Sequence, residues 1–533
     1  MSYTAIKTTW NSFAKQDTKR AFPLQSVVKN VNKAVLEAYK LSNLHVLRCI
    51  RDNLQFTINQ EFYYSCLTAV SKQMLRKDQG IKDVDLQVTL SLYNSRKPNS
   101  YVPPTKDYTG GLFNNAAQQM ITMTKNYFVY TFYKRLFRYL KRKYILWSYQ
   151  DIHLFIKNVY DLEYSGYDAE VWKIKDLLGY EKPFTQNVIP VLCRILKFSE
   201  RTHQRLFSLL PNRKTFTVCY VKFDSTCLHD ILISAKIMKR DKNFIANKRT
   251  YWTKFFNIQD FETRNRSFAY EILTDGKAVS VILKKSSSGS SVCREPDTDY
   301  DLVWGLDPGR SQVFTAMSNH GELQTLSTKE FYTESNYVKK NKKYAYWYKK
   351  DTRVSTTFKS LPSLKTTNIS KYLEYLDIFF SEVDYLLDFH FRKPFRDVKF
   401  TTYIQSQKKL QKMCKQLVQD KENVLVGFGD WSNQDSPVLK LEKGPVKKFK
   451  ECLKRYATVI DIDEFKTSKT CNCCHEELAK TNVYTVLRCS NTFCRRNLLN
   501  RDRNAAQNIL CLTQHVLNNI PRPTCFTRSS LPS

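Results

Sequence analysis

The sequence predicts a multidomain α/β protein, in which a helical first part and a β-rich module precede an α/β domain carrying a cysteine-rich insert. Three observations predict it. Apolar residues recur at helical spacing through much of 23–208, and the period shortens between 214 and 285. From Leu302 onward, short apolar runs that end in acidic residues alternate with helical stretches. A chain of 533 residues has room for roughly two to four domains, and 42% apolar residues is a globular composition.

The net charge is +35, from 85 Lys and Arg against 50 Asp and Glu. Such a field suits a polyanion, because each phosphate neutralised by a cation releases condensed counterions. A membrane surface is the other common polyanion. No run of about 18 apolar residues could span one, and Met1 opens no cationic-then-apolar leader. Nucleic acid is the expected partner, with no membrane and no small-molecule cofactor. Ten of the fifteen cysteines are scattered singly, as in a reducing compartment. The other five lie between Cys471 and Cys494, and clustering of that kind points to metal.

Along the chain, Met1–Arg20 is polar and basic without a strong period. Val27, Val28, Val31, Ala34, Val35, Ala38 and Leu41 follow helical spacing, and the pattern continues patchily to Leu75. Asp78–Gly111 reads as a loop from its Gly, Asn and Pro punctuation. Asn126–Gln150 contains no Gly or Pro and predicts one long helix. On it Lys134, Arg135, Arg138, Lys141, Arg142 and Lys143 are interleaved with aromatic rings. That pattern suits either a solvated core helix or a channel wall, with cations on phosphates and rings for stacking. Thr274-Asp275-Gly276 is a turn before the β-branched run Val279–Leu283, and Ser286–Ser291 is a linker that bounds the first part.

In the second part Leu302–Leu306 is a buried-strand run that delivers Asp307, with Val313–Met317 and Leu323–Ser327 as further strands about Gly321. The segment Lys339–Lys350 is basic and aromatic, a solvated face or a nuclear-localisation patch. Helical periodicity covers Ser370–Phe391 and Tyr403–Val418. Val424–Phe428 leads to Gly429-Asp430, and Tyr456–Ile462 leads to Asp463 and Glu464. Cys471-x2-Cys474 and Cys489-x4-Cys494 form two knuckles, whose four thiolates suit one tetrahedral structural Zn2+. Cys473 and His475 compete with Cys474 for that role. Asp502 opens a final helix in Asn500-Arg501-Asp502-Arg503-Asn504-Ala505-Ala506, where it could equally serve as an ordinary cap.

Together these motifs resemble the RuvC-type nucleases of the transposon-encoded TnpB proteins, relatives of type V CRISPR effectors. The resemblance covers about 300–521 and rests on G-L-D-P-G (305–309), T-S-K-T-C-x2-C (467–474), C-x4-C (489–494) and R-D-R-N-A-A-Q-N-I (501–509). The bacterial family carries a catalytic Glu where this chain has Gly429. In that loss the sequence resembles Fanzor, the eukaryotic branch, in which a glutamate just before the zinc motif takes over. That residue is Glu464 here, with Asp430, Asp461 and Asp463 as rivals.

The resemblance implies an RNase H-like (RuvC) nuclease domain over 300–470 and 497–521, a zinc ribbon over 471–496 and a tail over 522–533. Before them it implies a helical recognition lobe over 31–210 and a β-barrel wedge over 211–290, joined by residues 1–30. It further implies an RNA-guided DNA endonuclease, its transposon-derived guide RNA pairing with double-stranded target DNA beside a short adjacent motif. Asp307, Glu464 and Asp502 would hold two catalytic Mg2+ ions. Nuclear location follows from the eukaryotic resemblance and the basic patches. The competing readings are a guide-free structure-specific nuclease, a guided binder that has lost cleavage, and a zinc-ribbon regulator.

Overall fold

The computed structural model describes residues 3–71, 83–105, 110–161, 185–213, 216–285, 299–430 and 444–528. They fall into two compact units, Met1–Ser288 with Tyr346–Asp397, and Gly289–Ala345 with Val398–Ser533. The stretch 300–470, expected as one piece of the nuclease domain, is therefore divided, because 346–397 clusters with the first unit. The Ser286–Ser291 linker lies outside the described residues. No helix among them is long and apolar enough to cross a membrane.

In the first unit the Leu24–Asp52 helix is the central strut, and from Val31 to Cys49 every residue except Val35 is buried. Burial on all sides reaches even Glu37. Its carboxylate is held by the Tyr101 hydroxyl and by Lys97 at 3.2 Å. Two expectations fail here. The expected loop at 78–111 contains a helix, Val84–Asn94, capped by the Asp83 carboxylate on the Leu86 N–H and burying Leu86, Thr89 and Tyr93. Its Gly and Pro residues flank a short helical stripe rather than interrupt it. The expected Asn126–Gln150 helix instead runs Gly110–Lys143, and after a turn a second helix runs Tyr149–Asp161.

Four antiparallel strands complete this unit, β1 (Tyr3–Thr9), β2 (Val221–Phe223), β3 (Arg266–Thr274) and β4 (Ala278–Lys285), in the order β1-β4-β3-β2. The structure draws the N-terminus into the sheet through Tyr3↔Lys284 to Thr9↔Ala278. No residue of β1 is fully buried, so the strand carries no apolar stripe to read. Gly276, at φ +86°, supplies the left-handed residue of the β3–β4 turn. Among the described residues no pairing of β1 with β2 closes the sheet into the expected barrel. The helices Ser225–Ser234 and Lys248–Phe255 fill its core, with Trp252 fully buried.

The second unit is built on a five-stranded sheet in the order β7-β6-β5-β8-β9: β5 (Leu302–Pro308), β6 (Gln312–Ser318), β7 (Leu323–Ser327), β8 (Val424–Gly429) and β9 (Thr458–Ile462). β5, β6 and β7 run antiparallel, whereas β5, β8 and β9 run parallel. The two-residue period of a strand sorts its side chains to two faces. Leu302, Trp304 and Leu306, with Val424, Val426 and Phe428, pack against Leu410, Met413, Cys414 and Leu417 and against the Val446–Leu453 helix. Gly305, Asp307, Gly427 and Gly429 face the other way, where the Arg501–Leu517 helix lies.

Candidate active site and cysteine cluster

Glycine makes this second face possible. Gly305 pairs with Gly427 across β5 and β8. A Cβ on Gly305 would come within 2.1 Å of the Leu510 nitrogen, and one on Gly427 within 1.7 Å of the Thr513 hydroxyl. The C-terminal helix therefore lies directly on bare strand backbone. One step beyond Leu306↔Phe428, the register sets Asp307 beside Gly429. Sequence reading passed over Gly305 and Gly427, although glycine inside two apolar strand runs is itself a signal of close approach.

Over Gly429 lies Glu464. A Cβ there would meet its Oε1 at 2.1 Å, its Cδ at 2.8 Å and its Cγ at 2.9 Å. The missing side chain at 429 is the space that the Glu464 side chain fills. Asp430, whose N–H donates to the Ile462 carbonyl at 2.8 Å, ties β8 to the end of β9 and so fixes where Glu464 begins.

Asp502 comes from the first turn of the Arg501–Leu517 helix, whose N-cap is Asn500, with its side chain on the Arg503 N–H at 3.0 Å. The alternative reading of Asp502 as the cap therefore fails, since Asn500 takes that role. Buried Asn504 and Asn508 hold the helix to the chain ahead of the cysteines. Asn508 Nδ2 donates to the carbonyls of Thr467 and Thr470, both at 2.8 Å, and Asn504 Nδ2 to that of Thr470 at 2.8 Å. The motif R-D-R-N-A-A-Q-N-I is legible as one acid, two clamps and small residues over a glycine strand.

Burial, together with the carboxylates of Glu464 and Asp502, pushes the Asp307 carboxyl well above its usual range, and Arg501 opposes this. Burial raises Glu464 to about 7, helped by Asp430 and Asp463. Glu464 Oε1 is buried and finds no hydrogen-bond donor among the described residues. Hard oxygen donors with one lone acceptor buried are of the kind a divalent cation takes, but among the described residues the three carboxylates do not converge as one ligand set, whereas the cysteines below do. Two of the three rivals are engaged elsewhere: Asp461 pairs with Lys450, and Asp463 pairs with Arg528 at 3.1 Å and caps the Phe465 N–H.

The sulfur atoms of Cys471, Cys474, Cys489 and Cys494 all lie within 4.8 Å of one another. The pairs Cys471–Cys494 and Cys474–Cys489 are 3.8 and 3.4 Å apart. Cys473 is exposed, and His475 packs against the Phe526 ring, so neither belongs to the cluster. Around it the strands β10 (Leu478–Lys480), β11 (Val486–Cys489) and β12 (Leu498–Asn500) bury only Leu478, Leu487 and Leu499 besides cysteine. A core that small needs a metal to hold it, and four convergent thiolates suit a tetrahedral ion, Zn2+ above all.

The six basic residues of the Gly110–Lys143 helix are not alike. Arg138, Lys141 and Arg142 are exposed, and Lys134 and Lys143 are half-buried. Arg135 departs from the expected phosphate-binding role. Its guanidinium lies between the Tyr127 and Phe207 rings at 4.4 and 4.2 Å, and its buried Nη1 has no hydrogen-bond partner among the described residues. Stacked there, it serves the packing of this helix.

Residues 449–509 match the family model described as Cas12f1-like, TNB domain, and residues 221–285 match one described as a domain of unknown function (DUF8286). No curated protein sequence matches the chain. Among solved structures, a Cas12f1–sgRNA–target DNA complex aligns over 96% of this chain and 98% of its own, at 11% identity and a TM-score of 0.26. A superposition that loose carries no argument. The segment common to this chain and a Cas12f1-like family is the stretch from the Val446–Leu453 helix through the cysteine cluster to Ile509.

Proposed function

We propose that this chain is an RNA-guided DNA endonuclease of the TnpB type, close to the Fanzor branch. Its cutting site would be the Asp307, Glu464 and Asp502 carboxylates of an RNase H-like (RuvC) domain. The single observation that carries this reading is the Glu464 side chain lying in the space over Gly429, with its buried Oε1 unpartnered. A chain that had merely lost the usual glutamate would leave that space to water or to an apolar side chain. The match of 449–509 to a Cas12f1-like model supports the same reading, as does the charge of +35.

Asp307, Glu464 and Asp502 would hold two Mg2+ ions. When bound, these supply an activated water and charge stabilisation on the leaving 3′ oxygen. The chain's part would be to bring the three carboxylates to one cation site. The sheet fixes Asp307, the β8–β9 tie fixes Glu464, and the Asn504 and Asn508 clamps fix Asp502. Zn2+ on the four cysteines would keep the ribbon folded. Guide RNA and target DNA are the proposed partners, and a nucleus the proposed location.

The test is cleavage of guided target DNA by Glu464→Gln in Mg2+. Loss of cutting with guided binding intact is expected. Undiminished cutting would give the position to Asp430 and remove the observation on which the reading rests.

A further inference from the structure

Beside the carboxylates, on the other side of Pro308 and Gly429, the second unit holds a cavity of about 410 Å3. That is within the roughly 300–1,000 Å3 of small-molecule sites. Its walls are mostly rings and aliphatic carbon, from Phe331, Tyr332, Tyr337, Leu410 and Phe428, with Ser406 and Asp430 as the polar members. Tyr332 and Tyr337 meet edge to face, with centroids 5.1 Å apart, and both stay half-exposed to the cavity. The rim is cationic. Lys447 and Lys448 are exposed on the first turn of the Val446–Leu453 helix, and Lys450 lies 4.9 Å over the Phe428 ring. The carboxylate set uses none of these side chains.

We infer that this cavity is a nucleobase subsite: it takes one unstacked base of the strand being cut, with the adjoining phosphates on Lys447 and Lys448. The inference rests on the nuclease reading above and names what its site accepts. Aromatic walls take any base by its π-face, and ammonium groups at the mouth match the phosphates on either side. Pro308 in its wall adjoins Asp307, and Gly429 in its wall lies under Glu464, so the cavity and the carboxylates share the ends of β5 and β8. A base paired in a duplex cannot enter. The cavity would therefore select a strand already unwound, and it would act at one nucleotide position relative to the cut.

Two measurements on the full chain with its guide RNA test this. In the first, abasic sites are placed one at a time along the cut strand. The wild type should slow by about 5- to 150-fold, the worth of one base–aromatic stack, at one position next to the cut. Tyr337→Ala should be slow on the normal strand and indifferent to that lesion, and Lys447→Ala with Lys448→Ala, at exposed positions, should weaken binding without moving the position. In the second, a single-stranded oligonucleotide carrying one 2-aminopurine is titrated in Ca2+. The wild type should quench the probe, and Tyr337→Ala should not. Equal quenching by both proteins, no quenching, or abasic slowing that persists in Tyr337→Ala would overturn the subsite. Quenching lost in Tyr337→Ala, in a chain that cuts no DNA in Mg2+, would instead uphold the subsite and defeat the nuclease reading.

Discussion

Gly429→Ala isolates the position of one carboxylate. A methyl at 429 meets Glu464 Oε1 at 2.1 Å, and ordinary contact begins at 3.4 Å, so the carboxylate must withdraw by about 1.3 Å. What it displaces is the far end of a flexible side chain, and Gly429 is not in the left-handed region. Stability should therefore fall by about 1 kcal/mol, offset in part by the loss of glycine freedom in the unfolded chain. Catalysis is less forgiving, since a misplacement of about 1 Å costs roughly 100-fold, or about 2.7 kcal/mol of barrier. The assay is single-turnover cleavage of a guided target in Mg2+ beside a thermal melt. The same change at Gly305 is the control. There the new methyl meets the Leu510 nitrogen at 2.1 Å and the Ala506 carbonyl at 2.4 Å, backbone that cannot swing away. Gly305→Ala should lower stability by about 1–3 kcal/mol or more, as overpacking does. Wild-type cutting by a folded Gly429→Ala protein would refute the reasoning, because the placement of Glu464 would then be irrelevant.

Four further outcomes follow. Cys489→Ser combined with Cys494→Ser should lose about one zinc per chain by elemental analysis, and unchanged zinc content would remove the ribbon assignment. Asn508→Ala removes one of the two amide donors on the Thr467 and Thr470 carbonyls, the Asn504 amide remaining, and should cost about 0.5–1.5 kcal/mol in denaturant unfolding. Arg135→Ala should lower the melting temperature, whereas Arg142→Ala should leave it unchanged and reduce the salt slope of RNA binding by about one. The fourth concerns pH. Glu464 titrates near 7 when folded, above its unfolded value of 4.5, so the folded metal-free chain binds the extra proton. Its contribution to stability is fully present below about 4.5 and is lost as pH rises towards 7. Relative to Glu464→Gln, the metal-free wild type should weaken across that window, and Mg2+ should restore it most above pH 7. A parallel pair of stability profiles would show that Glu464 is not buried in this way.

The strands of the second unit were legible almost to the residue, because two-sided burial writes continuous apolar runs such as those ending at Asp307 and Gly429. The four clustered cysteines were legible from spacing alone, although only the fold separates Cys474 from Cys473 and His475. What escaped had physical reasons. Strand β1 buries no residue fully and so shows no apolar stripe, and the short Val84–Asn94 helix is masked by the turn residues on either side of it. Arg135 reads like its neighbours until Tyr127 and Phe207 close on it. The division of the 300–470 stretch is a matter of long-range packing that no local period records. Gly429 was legible only as a loss, because a sequence does not say which side chain will occupy the space a glycine leaves.

The central claim is guidance by RNA, and it is tested most directly on the protein itself. The chain should be purified from cells that carry its native flanking DNA, washed in high salt, and its bound RNA sequenced. The account predicts one discrete RNA that ends in a variable segment and directs Mg2+-dependent cutting of DNA matching that segment. Random cellular RNA, or none, would contradict it and leave the carboxylates to a nuclease that works without a guide.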